Sequence, residues 1–93
     1  MIESFRHKGL QELFLTGRTS RLPQERLRKI KMLLAVLDSA VDLRDMNLPG
    51  LRLHKLKAPP LSDYYSIDVT ANYRIVFRFE RGNTIDVNFL DTH

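Results

Sequence analysis

A chain of 93 residues, 43% hydrophobic and 28% charged, has room for one domain, 1–93, built on a single core. Its 15 Lys and Arg against 11 Asp and Glu leave a formal +4, a balance that admits a polyanionic partner without naming one. With no Cys at all, disulfide frameworks, thiolate zinc sites and cysteine nucleophiles are excluded, and stability has to come from packing, as expected in a reducing compartment.

Met1–Phe5 reads as a short strand. Leu10, Leu13 and Phe14 recur at helical spacing, and Gly17 is placed to stop that helix. A second amphipathic helix is expected over residues 23–40. Pro23 suits its first turn and Glu25 its positive end. Leu27, Ile30, Leu34, Leu37 and Val41 form its apolar stripe, which Leu33 and Ala40 widen. Arg26, Arg28, Lys29 and Lys31 occupy its other faces and read first as a solvated surface. Leu48-Pro49-Gly50 predicts a turn, Leu51–Leu56 a short strand, and Ala58–Asp63, with Pro59-Pro60, a loop. Tyr65, Ile67 and Val69 then alternate with polar residues. So do Tyr73, Ile75, Phe77 and Phe79, and, after the hairpin turn Arg81-Gly82-Asn83, Ile85, Val87 and Phe89. Helices first and a strand meander after predict an α+β fold, a compact antiparallel β-sheet with two N-terminal helices packed on one face. The longest apolar run, Met32–Leu37, falls far short of the ~20 residues of a membrane-spanning helix. The N-terminus also lacks a signal-peptide core, so the expectation is a cytoplasmic protein with no membrane partner.

The charge is uneven. Residues 1–57 hold 12 basic and 6 acidic side chains, residues 58–93 only 3 and 5. If Tyr73, Ile75, Phe77 and Phe79 face the helices, Arg74 and Arg78 face the other side, which an antiparallel sheet can leave open to water. Two Arg there make a candidate phosphate platform, but solubility alone is the simpler account of them. Of the three His, His7 reads as a structural residue at the start of the first helix. His54 lies among Arg52, Lys55 and Lys57, a cationic setting that favours the neutral, base-competent imidazole. His93, with its own carboxylate and Asp91 nearby, favours the imidazolium. Two imidazoles pushed in opposite directions form an acid–base pair. With Lys57, Arg74 and Arg78 for charge, they supply what a metal-free ribonuclease needs. From the chemistry alone a basic DNA-binding domain stays open beside it. No metal-ligand, nucleotide-binding or phosphate-loop motif is present.

The residues also carry a resemblance. Ile2 to Gly17 follows I-x-S-F-[RK]-H-K-G-L-x-x-L-F-x-x-G. Leu48 to Lys57 follows L-P-G-x-x-L-H-x-L-K. Tyr65-Ser66-Ile67-Asp68-Val69, followed by Ala71-Asn72-Tyr73-Arg74-Ile75, is similar to W-S-I-x-V-x-x-N-[WY]-R-I, and Asp91-Thr92-His93 is similar to a terminal D-Y-H. In this order they resemble the HigB-type, or plasmid maintenance killer, toxins of the RelE superfamily over nearly the whole chain. The resemblance implies a type II toxin: a ribosome-dependent endoribonuclease that cuts mRNA in the 30S A site without metal or cofactor and so inhibits translation. It also implies a cognate antitoxin, a helix-turn-helix, HigA-like protein through which alone operator DNA would be met. The site positions it implies are His54, Lys57, Arg74, Asp91 and His93 for catalysis, with Asn72 nearby; Arg78, from the alternation of its strand, and Thr92, at the family's Tyr position, are read with Asn72 as contacting substrate. In these roles Arg74 and Lys57 hold the phosphate, His93 is the main proton-transfer group oriented by Asp91, and His54 is the second. The expected product is a 2′,3′-cyclic phosphate.

This chain departs from the family pattern at its end, in one loop and at two aromatic positions. Thr92 stands where the family has Tyr, and a Thr cannot stack on a base. Ala58-Pro59-Pro60-Leu61 replaces a Gly-containing turn, and Tyr65 and Tyr73 replace Trp. The Tyr exchanges are conservative; the alternative implied by Thr92 and the Pro59-Pro60 loop is a non-cleaving ribosome- or antitoxin-binding module of the same fold.

Overall fold

A computed structural model of the chain describes residues 1–92. Helix α1 (Lys8–Thr16) ends as its sequence predicts: Gly17 adopts the left-handed region at φ 80° and its N–H bonds the Leu13 carbonyl. The second helix starts in two steps. Pro23 precedes a 3-10 turn, Gln24–Arg26, and α2 proper runs Leu27–Ser39. Val41, expected on its apolar stripe, lies beyond the helix and is exposed, whereas Ile30, Leu33, Leu34, Leu37 and Ala40 are buried. A second 3-10 turn, Leu43–Met46, has no counterpart in the sequence expectation. A reciprocal capping box between Asp42 and Asp45 holds it.

Four antiparallel strands follow in spatial order β1 (His54–Lys55), β2 (Tyr65–Asp68), β3 (Tyr73–Glu80) and β4 (Asn83–Asp91). The expected strand over Leu51–Leu56 shrinks to two residues, because the backbone enters it from left-handed positions at Gly50 and Arg52. Met1–Phe5 is not a full strand but two isolated parallel bridges onto the outer edge of β4, Ile2 to Thr84 and Phe5 to Val87. Between β3 and β4 a two-residue loop, Arg81-Gly82, has both φ values positive, the requirement of a type I′ hairpin turn. The Pro59-Pro60 peptide is cis.

Alternation sorts the sheet into two faces. Ile67, Ile75, Phe77 and Val87 are buried with Leu10 and Leu13 of α1 and Ile30, Leu33, Leu34 and Leu37 of α2; Tyr65, Tyr73, Phe79 and Phe89 pack around them. One expectation fails here. Ile85 does not continue the inward set of Val87 and Phe89, because Asp86, at φ 54°, sits in a β-bulge where the register slips between Val76 and Arg78. The extra residue shifts the alternation by one. Ile85 now faces outward opposite Arg78, and Thr84 faces inward opposite Phe79. Thr84 is fully buried, and its hydroxyl donates to the Leu37 carbonyl of α2 at 3.2 Å. A free carbonyl near the helix C-terminus is thereby satisfied.

Candidate active site

The face of the sheet away from the helices carries His54 and Arg74, and the loop before β1 borders it. The Leu51 N–H bonds the Leu48 carbonyl at 3.2 Å, and Gly50 has φ 85°. Pro then Gly at the two central positions is the pattern of a type II turn. Leu51 is buried, and its carbonyl accepts from the Asp68 N–H at 2.8 Å, which docks the segment on β2. Arg52 then takes φ 53°, an unfavourable region for a non-Gly residue. In that conformation its carbonyl lies 2.8 Å from His54 Nδ1. A carbonyl can only accept, so Nδ1 carries the hydrogen. In the neutral imidazole, Nε2 is then the free lone pair. His54 is exposed at the edge of the sheet, with Nε2 in the form a general base requires.

Cross-strand register brings the partners together. His54 pairs with Ser66, Ser66 with Val76 and Val76 with Asn88, making one row; Asp68, Arg74 and Leu90 make the next. With strands ~4.8 Å apart and rows two residues apart, the Cα atoms of His54 and Arg74 are separated by roughly 12 Å. Of the cations that the sequence placed around His54, Lys55 leaves the strand on the opposite face. Arg52 is turned to Asp68, its Nη1 lying 3.5 Å from Oδ2. Arg74 approaches the other oxygen of the same carboxylate, Nε to Oδ1 at 3.9 Å, too far for a hydrogen bond. Its buried Nε and the buried Ser66 hydroxyl have no hydrogen-bond partner among the described residues.

The remaining expected residues divide by position. Asn72 and Thr92 meet beside Arg74 at the end of β3: the Thr92 N–H and Oγ1 both donate to the Asn72 carbonyl, at 2.7 and 2.9 Å. Thr92 thus ties the strand end, whatever it lacks for stacking. Asp91 pairs with Tyr73 and leaves the sheet on that residue's face, opposite to Arg74. Lys57 is exposed in the segment after β1. Arg78 shares the open face but is committed elsewhere: it pairs with Glu80 and, at 3.1 Å, with Asp86. Its charge is largely answered within the protein. His93 lies outside the described residues. His7, read from the sequence as structural, caps α1: its Nδ1 accepts the Leu10 N–H at 3.2 Å. Asp68 went unremarked in the sequence and Arg52 only as a neighbour of His54. The available signal was an acid at an outward strand position, a residue type depleted in strands. Among the described residues no group of three or more His, Asp or Glu is placed to hold a metal ion, and no helix is long and apolar enough to cross a membrane.

Comparison with known proteins points the same way. Residues 3–93 match the family model described as RelE-like toxin of type II toxin-antitoxin system HigB. Endoribonuclease HigB of Proteus vulgaris is 40% identical over 93 residues, the full length of both chains. Among solved structures, the YoeB-YefM complex from Staphylococcus aureus aligns with a TM-score of 0.62 at 17% identity, covering 100% of this chain and 98% of the other. The YoeB/ParE toxin from Agrobacterium tumefaciens aligns at 0.59 and 19%, covering 100% and 99%. At these identities the two structures speak for the fold.

Proposed function

This chain belongs to the HigB family of RelE-like toxins of type II toxin–antitoxin systems, and on that premise we propose that it is an endoribonuclease that cleaves mRNA on the ribosome, in the 30S A site, and so stops translation. The observation that carries the chemistry is that a tautomer-fixed His54 and the half-exposed Arg74 lie in neighbouring rows on the same face of the sheet. His54 Nε2 takes the proton of the 2′-hydroxyl. The 2′-oxygen attacks the adjacent phosphorus, and Arg74, with Lys57 at the rim, stabilises the charge that builds on the phosphate oxygens. The bond from phosphorus to the 5′-oxygen breaks, leaving a 2′,3′-cyclic phosphate. His93, assigned from the sequence, protonates the departing 5′-oxygen. Asn72 and Thr92, beside Arg74, contact the flanking nucleotides. Arg78, already paired with two carboxylates, contributes less to substrate than Arg74.

The partner proposed for neutralisation is a small helix-turn-helix, HigA-like antitoxin, through which the toxin reaches operator DNA. The test is cleavage mapping of a translated message in a purified translation reaction. Cuts within codons that depend on both ribosomes and Arg74 are expected. Intact message with ribosome binding retained would leave only a non-cleaving binding module.

A further inference from the structure

Asp68 touches two of the cations on the open face at once. Its Oδ1 lies 3.9 Å from Arg74 Nε and its Oδ2 3.5 Å from Arg52 Nη1. Its own N–H is anchored at 2.8 Å to the Leu51 carbonyl, which fixes β2 against the loop that carries Arg52. Arg52 in turn supplies the carbonyl that sets the His54 tautomer. As a stabilising device this arrangement is weak. The Arg52 side chain is 74% exposed, and exposed ion pairs contribute little. A Thr or Val would suit an outward strand position better than Asp. An anion beside a phosphate site also repels the substrate. What a carboxylate gives here, and Thr or Val would not, is direction. A guanidinium approached at Nε keeps its paired Nη groups for a phosphate.

We propose that Asp68 is a positioning residue of the cleavage site, a single carboxylate that aims Arg74 at the scissile phosphate and holds the Arg52 segment that presents His54. The proposal rests on the ribonuclease reading above. It also predicts a sign that simple electrostatics does not. Asp68→Asn removes a negative charge next to the RNA, so it tightens RNA binding on charge alone; loss of aim slows the chemical step.

The experiment compares Asp68→Asn, Asp68→Glu, Arg74→Ala and the double variant that combines Asp68→Asn with Arg74→Ala, by single-turnover cleavage of message in a purified translation reaction. Melting temperature is recorded for each. Asp68→Asn is expected to lower the saturating rate by at least ~tenfold, the scale of a misplaced catalytic group, with an unchanged or lower half-saturating concentration. Asp68→Glu, which keeps the carboxylate, is expected to recover part of that loss. In the Arg74→Ala background Asp68→Asn is expected to add nothing more. A saturating rate for Asp68→Asn equal to the parent's overturns the proposal, as does a full additional loss in the Arg74→Ala background. If Arg74→Ala itself cuts at the parent rate, the site assignment under the ribonuclease reading fails instead. Should Asp68→Asn melt early, Asp68→Glu decides: a rate below the parent's with half-saturation unchanged supports aiming, and a parent rate refutes it.

Discussion

Replacing His54 by Asn separates the two jobs of its imidazole. The Nδ1–H bond to the Arg52 carbonyl, 2.8 Å long, is remade by an Asn amide nitrogen, which falls near the Nδ1 position. Nothing in Asn takes the place of Nε2. A hydrogen bond of this kind is worth about 0.5–1.5 kcal/mol net. Since it is retained and the residue is exposed, the melting temperature is expected to stay within ~4 °C of the parent. The chemistry is expected to suffer far more. A positioned acid or base contributes ~10²–10⁴-fold, which at ~1.4 kcal/mol per decade is ~3–5 kcal/mol of barrier. The assay is single-turnover cleavage of a translated message. His54→Asn is expected to fall at least a hundredfold. A variant within tenfold of the parent would refute the assignment of Nε2 as the base.

Three further outcomes are expected. Burial, and after it the Arg21 charge, push the His7 imidazole below its ordinary 6.5. The unfolded chain therefore takes up a proton that the folded one resists, so stability is full above that value and falls as pH drops below it, by at most ~1.4 kcal/mol per pH unit. His7→Asn keeps a capping acceptor, and thermal melts at about pH 7.5 and 5.5 should show a shallower pH slope than the parent; equal slopes would discard this reading. Gly9→Ala, which by helix propensity should gain ~1 kcal/mol, is expected to lose ~1–3 instead, because its Cβ would stand 2.8 Å from both Arg21 Cβ and His7 Cε1; a raised melting temperature would show that those groups give way. Thr84→Val leaves the Leu37 carbonyl without its 3.2 Å donor in a fully buried setting, an expected loss of ~1–3 kcal/mol read as the shift in a denaturant midpoint, and an unchanged midpoint would contradict it.

Much of this was legible in the chain because it is periodic. The helical stripe of Ile30, Leu33, Leu34 and Leu37 and the alternation of Tyr73, Ile75, Phe77 and Phe79 each follow from burying one face, so they fixed the layers and put Arg74 on the open side. Ile85 misled for a physical reason: alternation holds only while the register does, and one left-handed residue, Asp86, reverses it. Arg52 and Asp68 were missed because their importance lies in pairing across strands, between a loop with an unfavourable φ and an outward strand position. Nothing in local sequence spacing encodes that contact. Arg78 looked equivalent to Arg74 from alternation, yet Glu80 and Asp86 set it apart, and the second of these approaches only because of the bulge.

The seam between the first residues and β4 sets an order of events in time. Ser4 and Asp86 bond each other across 82 positions, and the bridges at Ile2 and Phe5 span as many. A nascent chain exposes Met1–Arg6 first and β4 last. Closing this edge requires Met1–Arg6 to meet β4 across most of the chain, and such distant contacts form late and slowly. The seam, rather than the helices, is therefore where folding of this chain is expected to be completed.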